Sequence, residues 1–160
     1  MNHPNQSREW NSFVYHQLSE PQVSWGKKVF ARLKLRGDER LLDAGCGTGR
    51  LTADLINALP GGQVVGVDLS QNMLESAREH LRTDFGRRLQ LVAADLLHLP
   101  FEHAFDSIVS TAAFHWVLDH DALFVSLRRA LRFGGWLHAQ CGGGANLAGL
   151  RQRVAKLAQT

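Results

Sequence analysis

Leu41-Leu42-Asp43-Ala44-Gly45-Cys46-Gly47-Thr48-Gly49-Arg50 is an apolar run that enters a glycine-studded turn and leaves it as a helical pattern. Glycines at alternate positions let the backbone turn tightly, and let a ligand lie against main-chain N–H groups with no Cβ in the way. Asp43 stands just ahead of them, where the strand ends. A dinucleotide loop offers its N–H groups and helix dipole to a pyrophosphate. A carboxylate fixed beside that phosphate would repel it, so this turn suits a cationic ligand better.

The rest of the chain repeats the same unit. A strand over 40–44 leads to a helix from about Thr48 with Leu51, Leu55 and Leu59 facing inward, ended by Pro60-Gly61-Gly62. Residues 64–68 are a continuous apolar run of the kind found in buried parallel strands, and the run ends in Asp68. Ser70 then caps a helix marked by Leu74, Ala77 and Leu81. A third strand over 89–94 ends in Asp95, and a fourth covers 105–110. After an irregular stretch, 111–118, Asp119 and Asp121 open a helix with Leu123, Leu127 and Leu131 on one face, which Gly134-Gly135 stops. A fifth strand is expected over 136–141, then a last helix marked by Leu147, Leu150, Val154 and Leu157 with Arg151, Arg153 and Lys156 outside. Upstream, residues 1–20 read as an arm or lid, followed by a helix from Pro21 with Val23, Gly26, Phe30 and Leu33 at helical spacing. The alternation predicts an α/β fold, a Rossmann-like doubly wound parallel sheet of about five strands with helices on both faces and ligands at the carboxyl strand ends. The length of 160 residues fits a single domain, 1–160.

That topology gathers Asp43, Asp68 and Asp95 along one crevice although they are far apart in the chain. An acidic residue about 20 positions after a glycine turn, at the end of the second strand, can accept from both hydroxyls of a ribose, and Asp68 meets this. Asp95 can accept from an adenine amino group while the Leu96 N–H donates to the ring and Leu69 and Met73 wall it; capping the next turn is the other use of Asp95. What lies beyond the ribose then rests on the glycine turn near Asp43, where a sulfonium and an α-ammonium fit and a phosphate does not. Gln22 and Trp25 either reach this pocket or remain a solvated glutamine and a core tryptophan.

Other classes are disfavoured. The net charge is +3, but the arginines are spread along helices without a basic block interleaved with aromatics, so no nucleic-acid partner is expected. No stretch has transmembrane length and residues 1–8 are polar, so no membrane partner is expected and the cytoplasm is the expected location. Cys46 and Cys141 make neither a disulfide framework nor a zinc pattern, and His98, His103 and His120 lack metal-site spacing, so no metal is expected.

Residues 41–49 resemble motif I of the class I S-adenosylmethionine-dependent methyltransferases, and 64–70, 91–100, 105–117 and 131–143 fall where later motifs of that family fall. The resemblance runs from about Pro21 to Gly144 and is closest to the small-molecule branch with trans-aconitate, malonyl-carrier and quinone-pathway enzymes. It implies S-adenosylmethionine as cofactor, with Gly45, Gly47 and Gly49 holding the methionine part, Asp68 the ribose and Asp95 the adenine. The expected cofactor-binding set is Asp43, Gly45, Cys46, Gly47, Gly49, Asp68, Leu69, Met73, Asp95 and Leu96, with Gln22 and Trp25.

The resemblance also places 111–116 opposite the transferred methyl. This stretch lacks the Asn/Asp-Pro-Pro-aromatic tetrapeptide of enzymes acting on nucleic-acid or glutamine amino groups. Methyl transfer is an in-line displacement that depends mainly on positioning; a carboxylate acceptor needs no base, whereas a phenol, amine or activated carbon does. His115 is the candidate catalytic proton acceptor, or else a hydrogen-bonded structural histidine. Trp116 walls the pocket. The expected function is methyl transfer to a small, carboxylate-bearing or quinone-like acceptor, against an S-adenosylmethionine-binding module without turnover. A nicotinamide oxidoreductase would prefer Gly-x-Gly-x-x-Gly, and position 50 is arginine. The family usually continues past the fifth strand with a helix and an antiparallel strand pair. The sheet here is expected to lack that pair in a shortened chain, and the open edge over 136–141 to pair in a homodimer.

Overall fold

Residues 26–81 and 85–142 are described by a computed structural model, and within them five parallel strands lie in the order β3-β2-β1-β4-β5. The strands are β1 (Arg40–Ala44), β2 (Gln63–Asp68), β3 (Leu89–Ala93), β4 (Phe105–Thr111) and β5 (Leu131–Gln140). β1 is central, with Asp43 opposite Gly66 on one side and Val109 on the other. The chain reverses its direction of travel across the sheet between β1 and β4. The turns after those two strands therefore diverge and leave a crevice above their carboxyl ends.

Helices α1 (Arg50–Ala58), α2 (Gln71–His80) and α3 (His120–Ala130) clothe the sheet. Because successive strand side chains point to opposite faces, two apolar layers form. Leu41, Val64 and Val109 pack with Leu51, Leu55 and Ile56 of α1 and with Val29 from the helical stretch 26–30. On the other face Leu42, Val65, Val67 and Ile108 pack with Leu123, Leu127 and Ala130 of α3. The Rossmann-like arrangement expected from the strand-helix alternation is the observed one. Ser70 caps α2 by accepting from the Met73 N–H at 3.3 Å, and Asp119 caps α3 by accepting from the Ala122 N–H at 2.9 Å.

Two boundaries differ from expectation. α1 starts at Arg50, since the turn uses residues to Gly49, which sits at φ +79°. α3 ends at Ala130 and β5 begins at once with Leu131, which pairs with Phe105, while Trp136 pairs with Ser107. Residues 132–135 thus bulge out opposite Asp106, which accepts from the Arg132 guanidinium at 2.7 Å and from the Arg40 N–H at 2.8 Å. Gly134-Gly135 turns this bulge, with Gly134 at φ +77°, and does not end a helix. Every strand pairing among the described residues is parallel. The arm, Gln22, Trp25 and the expected last helix lie outside the described residues.

Candidate active site

The turn after β1 takes the left-handed backbone at Gly45 (φ +81°), Gly47 (φ +53°) and Gly49 (φ +79°), which glycine adopts without the Cβ clash. The three glycines face different surroundings. A Cβ on Gly45 would run into the Ala113 side chain of the segment after β4, whereas one on Gly49 would lie 2.8 Å from Leu81 Cδ1 and 3.2 Å from Ala77 Cβ. A Cβ on Gly47 would meet no protein atom within 4 Å. Gly45 and Cys46 both donate their N–H to the Val67 carbonyl, at 2.8 and 2.9 Å, so the turn is tied to β2. Cys46 is buried beside Gly66, where it fills the room a strand side chain would take, and burial pushes its thiol pKa up.

Asp68, at the end of β2, accepts from the Gly47 N–H at 2.9 Å through one oxygen and from the Ser70 N–H at 3.0 Å through the other. Asp95 follows β3 and caps the 3-10 turn Leu96–His98, its Oδ1 accepting from the Leu97 N–H at 2.9 Å. Its Oδ2 is 3.8 Å from His98 Nδ1. Asp43 is 1% exposed and accepts from the Thr52 hydroxyl of α1 at 2.7 Å. Burial pushes its carboxyl up to about 7, with the Thr52 hydrogen bond opposing and the Asp68 charge adding to the rise. The fixed negative charge expected at this position is therefore a titrating group near neutrality.

A cavity of about 370 Å³ opens over these strand ends, within the size range of small-molecule sites. Gly45, Gly47, Asp68, Leu69, Met73, Asp95, Leu96 and Leu97 form one side of it. The opposite side comes from the segment after β4, namely Thr111, Ala112, Ala113 and then Trp116 to Asp119. Ala112 holds φ +54°, a left-handed value that alanine adopts at a cost, and its N–H is fixed to the Gln140 carbonyl at 2.8 Å. Strain of this kind concentrates at binding sites whose surroundings hold it in place.

The methyltransferase domain family matches residues 42–139. The chain belongs to the class I S-adenosylmethionine-dependent methyltransferases. A trans-aconitate 2-methyltransferase of Enterobacter sp. (strain 638) is 35% identical over 132 residues, which are 82% of this chain and 50% of that protein. A malonyl-acyl-carrier-protein O-methyltransferase of Legionella pneumophila is 34% identical over 126 residues, 77% of this chain and 44% of that one. Phosphoethanolamine N-methyltransferase 2 of Haemonchus contortus, in complex with S-adenosyl-L-methionine, superposes with a TM-score of 0.71 at 28% identity, covering 90% of this chain and 36% of that one. The methyltransferase domain thus spans about half the length of the curated relatives it matches.

Of the residues singled out in the methyltransferase sequence, Gly45, Gly47, Asp68, Leu69, Met73, Asp95 and Leu96 line one cavity. Asp43, Cys46 and Gly49 are not among its lining residues: they sit beneath or behind the turn. His115 is not among them either. Its Nδ1 accepts from the Gly142 N–H at 3.4 Å, its ring lies 4.9 Å from that of Trp116, and partial burial holds its pKa below the usual value. His115→Ala is accordingly expected to leave S-adenosylmethionine affinity within about twofold in calorimetry, because surface changes away from a ligand act weakly. Leu97, Val117, Leu118 and Asp119 are wall residues that the sequence did not single out as such. Asp119 carried a legible signal only as a helix cap. Leu118, 93% exposed, carried none.

Proposed function

We propose that the chain binds S-adenosylmethionine across the carboxyl ends of β1 to β4 and transfers its methyl group to a small-molecule acceptor held against residues 111–119. The observation that carries this is a single cavity with Asp68, Asp95 and the open Gly47 on one side and an apolar wall on the other. The residues suit the cofactor. Gly47 leaves a bed that a Cβ would intrude on, and Asp68 and Asp95 present carboxylates to the cavity, where a ribose hydroxyl and an adenine amino group could donate to them. Leu69 and Met73 supply apolar faces for the base. When bound, S-adenosylmethionine supplies a methyl group on a sulfonium, which a nucleophile takes in line. Trp116, Val117 and Leu118 would hold the apolar part of the acceptor and keep water from it. His115 stands next to that wall as the candidate base, with Gly142 orienting its ring.

The names of the relatives make trans-aconitate and a malonyl thioester the first acceptors to try, and a demethylmenaquinone methyltransferase that is 34% identical over 117 residues puts a quinol beside them. Among the described residues the acceptor wall contributes Asp119 and no basic lining group, which favours the neutral quinol over the polyanion there. Mass spectrometry of ligand retained on purification, then calorimetry and a methyl-acceptor screen, tests the proposal. S-adenosylmethionine binding with turnover supports it, binding without turnover on any acceptor leaves a cofactor-binding module, and NAD binding in place of S-adenosylmethionine overturns it. Self-association through the outer edge of β5, the last strand in the sheet order, belongs to the same proposal. Sedimentation should show a dimer, and a monomer at every concentration removes that part.

A further inference from the structure

We infer that the empty site holds a proton on Asp43 and releases it to solvent when a cationic ligand settles on the glycine turn, so that cofactor binding is coupled to loss of a proton. The inference rests on the reading of the cavity as a seat for S-adenosylmethionine.

The geometry creates an imbalance that only a proton or a cation resolves. Asp43 is buried to 1% exposure on the central strand, and the hydroxyl of Thr52 on α1 is its hydrogen-bond partner. The groups that face it are Asp68 at the end of β2 and the Cys46 thiol in the turn, while its register neighbours are Gly66 and Val109. Among the described residues no basic side chain forms an ion pair with it. Asp68 receives two backbone N–H groups, from Gly47 and Ser70, and is the better placed of the two to carry charge. Burial without a cation disfavours the Asp43 carboxylate, the Asp68 charge adds to that, and Asp43 takes the proton. Thr52 serves either state, because a hydroxyl can donate to a carboxylate or accept from a carboxyl O–H. The rise of the Asp43 carboxyl to about 7 agrees with this arrangement.

The cofactor would bring a sulfonium and an α-ammonium to the Gly45–Gly47 side of the turn, directly above Asp43. A positive charge there favours the carboxylate, so the Asp43 O–H bond breaks and the proton passes to buffer. The sign of the pH dependence follows. Below about 7 the proton opposes the ligand, so affinity rises with pH up to that point and then levels. The same linkage acts on folding. Asp43 binds a proton in the empty protein that it lacks in the unfolded chain between its ordinary 3.8 and about 7, so its contribution to stability is full below that window and is lost as pH rises through it.

Calorimetry of S-adenosylmethionine binding at pH 6.5, in buffers of different ionisation enthalpy, counts the proton. At that pH the free amine of the ligand, with a pKa of about 7.7 to 8.0, is already protonated and adds nothing. The expected result is proton release on binding that grows as the pH is lowered, with affinity rising by up to about tenfold per pH unit below about 7. Asp43→Asn should bind without releasing it. Thr52→Val, which removes the hydrogen bond that opposes the rise, should move the release to higher pH; it carries the test if Asp43→Asn does not fold. S-adenosylmethionine binding with no proton released, or release undiminished in Asp43→Asn, overturns the inference and leaves the site reading standing. No binding at any pH overturns the site reading and the inference together.

Discussion

Gly45→Ala lowers folding stability by about 2 to 5 kcal/mol, the sum of a left-handed alanine and an overpacked contact. Gly45 sits at φ +81°, and its Cβ would collide with that of Ala113, an atom fixed to the backbone that no rotamer change can move aside. Gly49→Ala meets mainly the far end of Leu81, a flexible side chain, and should lose less. Gly47→Ala meets nothing and should lose only the conformational part, about 1 to 2 kcal/mol, while its methyl enters the cavity and weakens cofactor binding. Urea unfolding of the three variants should therefore rank them Gly45, Gly49, Gly47 in loss of stability. Adding Ala113→Gly to Gly45→Ala restores the steric share and not the conformational one. Equal losses in all three variants would show that backbone conformation alone sets the sequence of the turn.

Asp68→Ala weakens S-adenosylmethionine binding by about 1 to 3 kcal/mol, roughly 5- to 150-fold in Kd, because ribose hydroxyls and two backbone N–H groups lose their acceptor together. Those N–H groups belong to Gly47 and Ser70, one in the turn after β1 and the other at the cap of α2, so the carboxylate ties the two segments in addition to its proposed ribose role. Asp68→Asn separates these roles in part, since its amide presents one acceptor where the structure has two in use. Calorimetric affinity with a thermal melt as control checks the result. Unchanged affinity in Asp68→Ala would remove the ribose role.

The ends of β1, β2 and β3 were readable because each run stops at or beside a carboxylate, Asp43, Asp68 or Asp95, and the parallel topology that follows from the strand-helix alternation brings such ends to one edge. The start of β5 was not readable. Leu131 continues the helical spacing of Leu123 and Leu127, yet its buried side chain serves equally as the first residue of a strand, and only its pairing with Phe105 decides between them. The position of Cys46 was hidden for a similar reason: its thiol turns toward Gly66, a partner on another strand whose missing side chain makes the room. Spacing along the chain put Asp43 beside the ligand. Its burial and its bond to Thr52, which depend on how α1 docks, make it a group beneath the turn.

The two sides of the cavity differ in how the chain supplies them. One side draws on three separate crossovers, after β1, β2 and β3, so a change there disturbs contacts between distant parts of the chain. The other is a single run over 111–119, anchored at Ala112 to the Gln140 carbonyl and at Asp119 to the start of α3. Between those anchors Ala113, Phe114 and Val117 are tied into the core, and Trp116 and Leu118 are the exposed members of the run. With the acceptor wall as proposed, natural drift or library selection can search new acceptors through Trp116 and Leu118 one substitution at a time, while the half of the site assembled from three crossovers stays as it is.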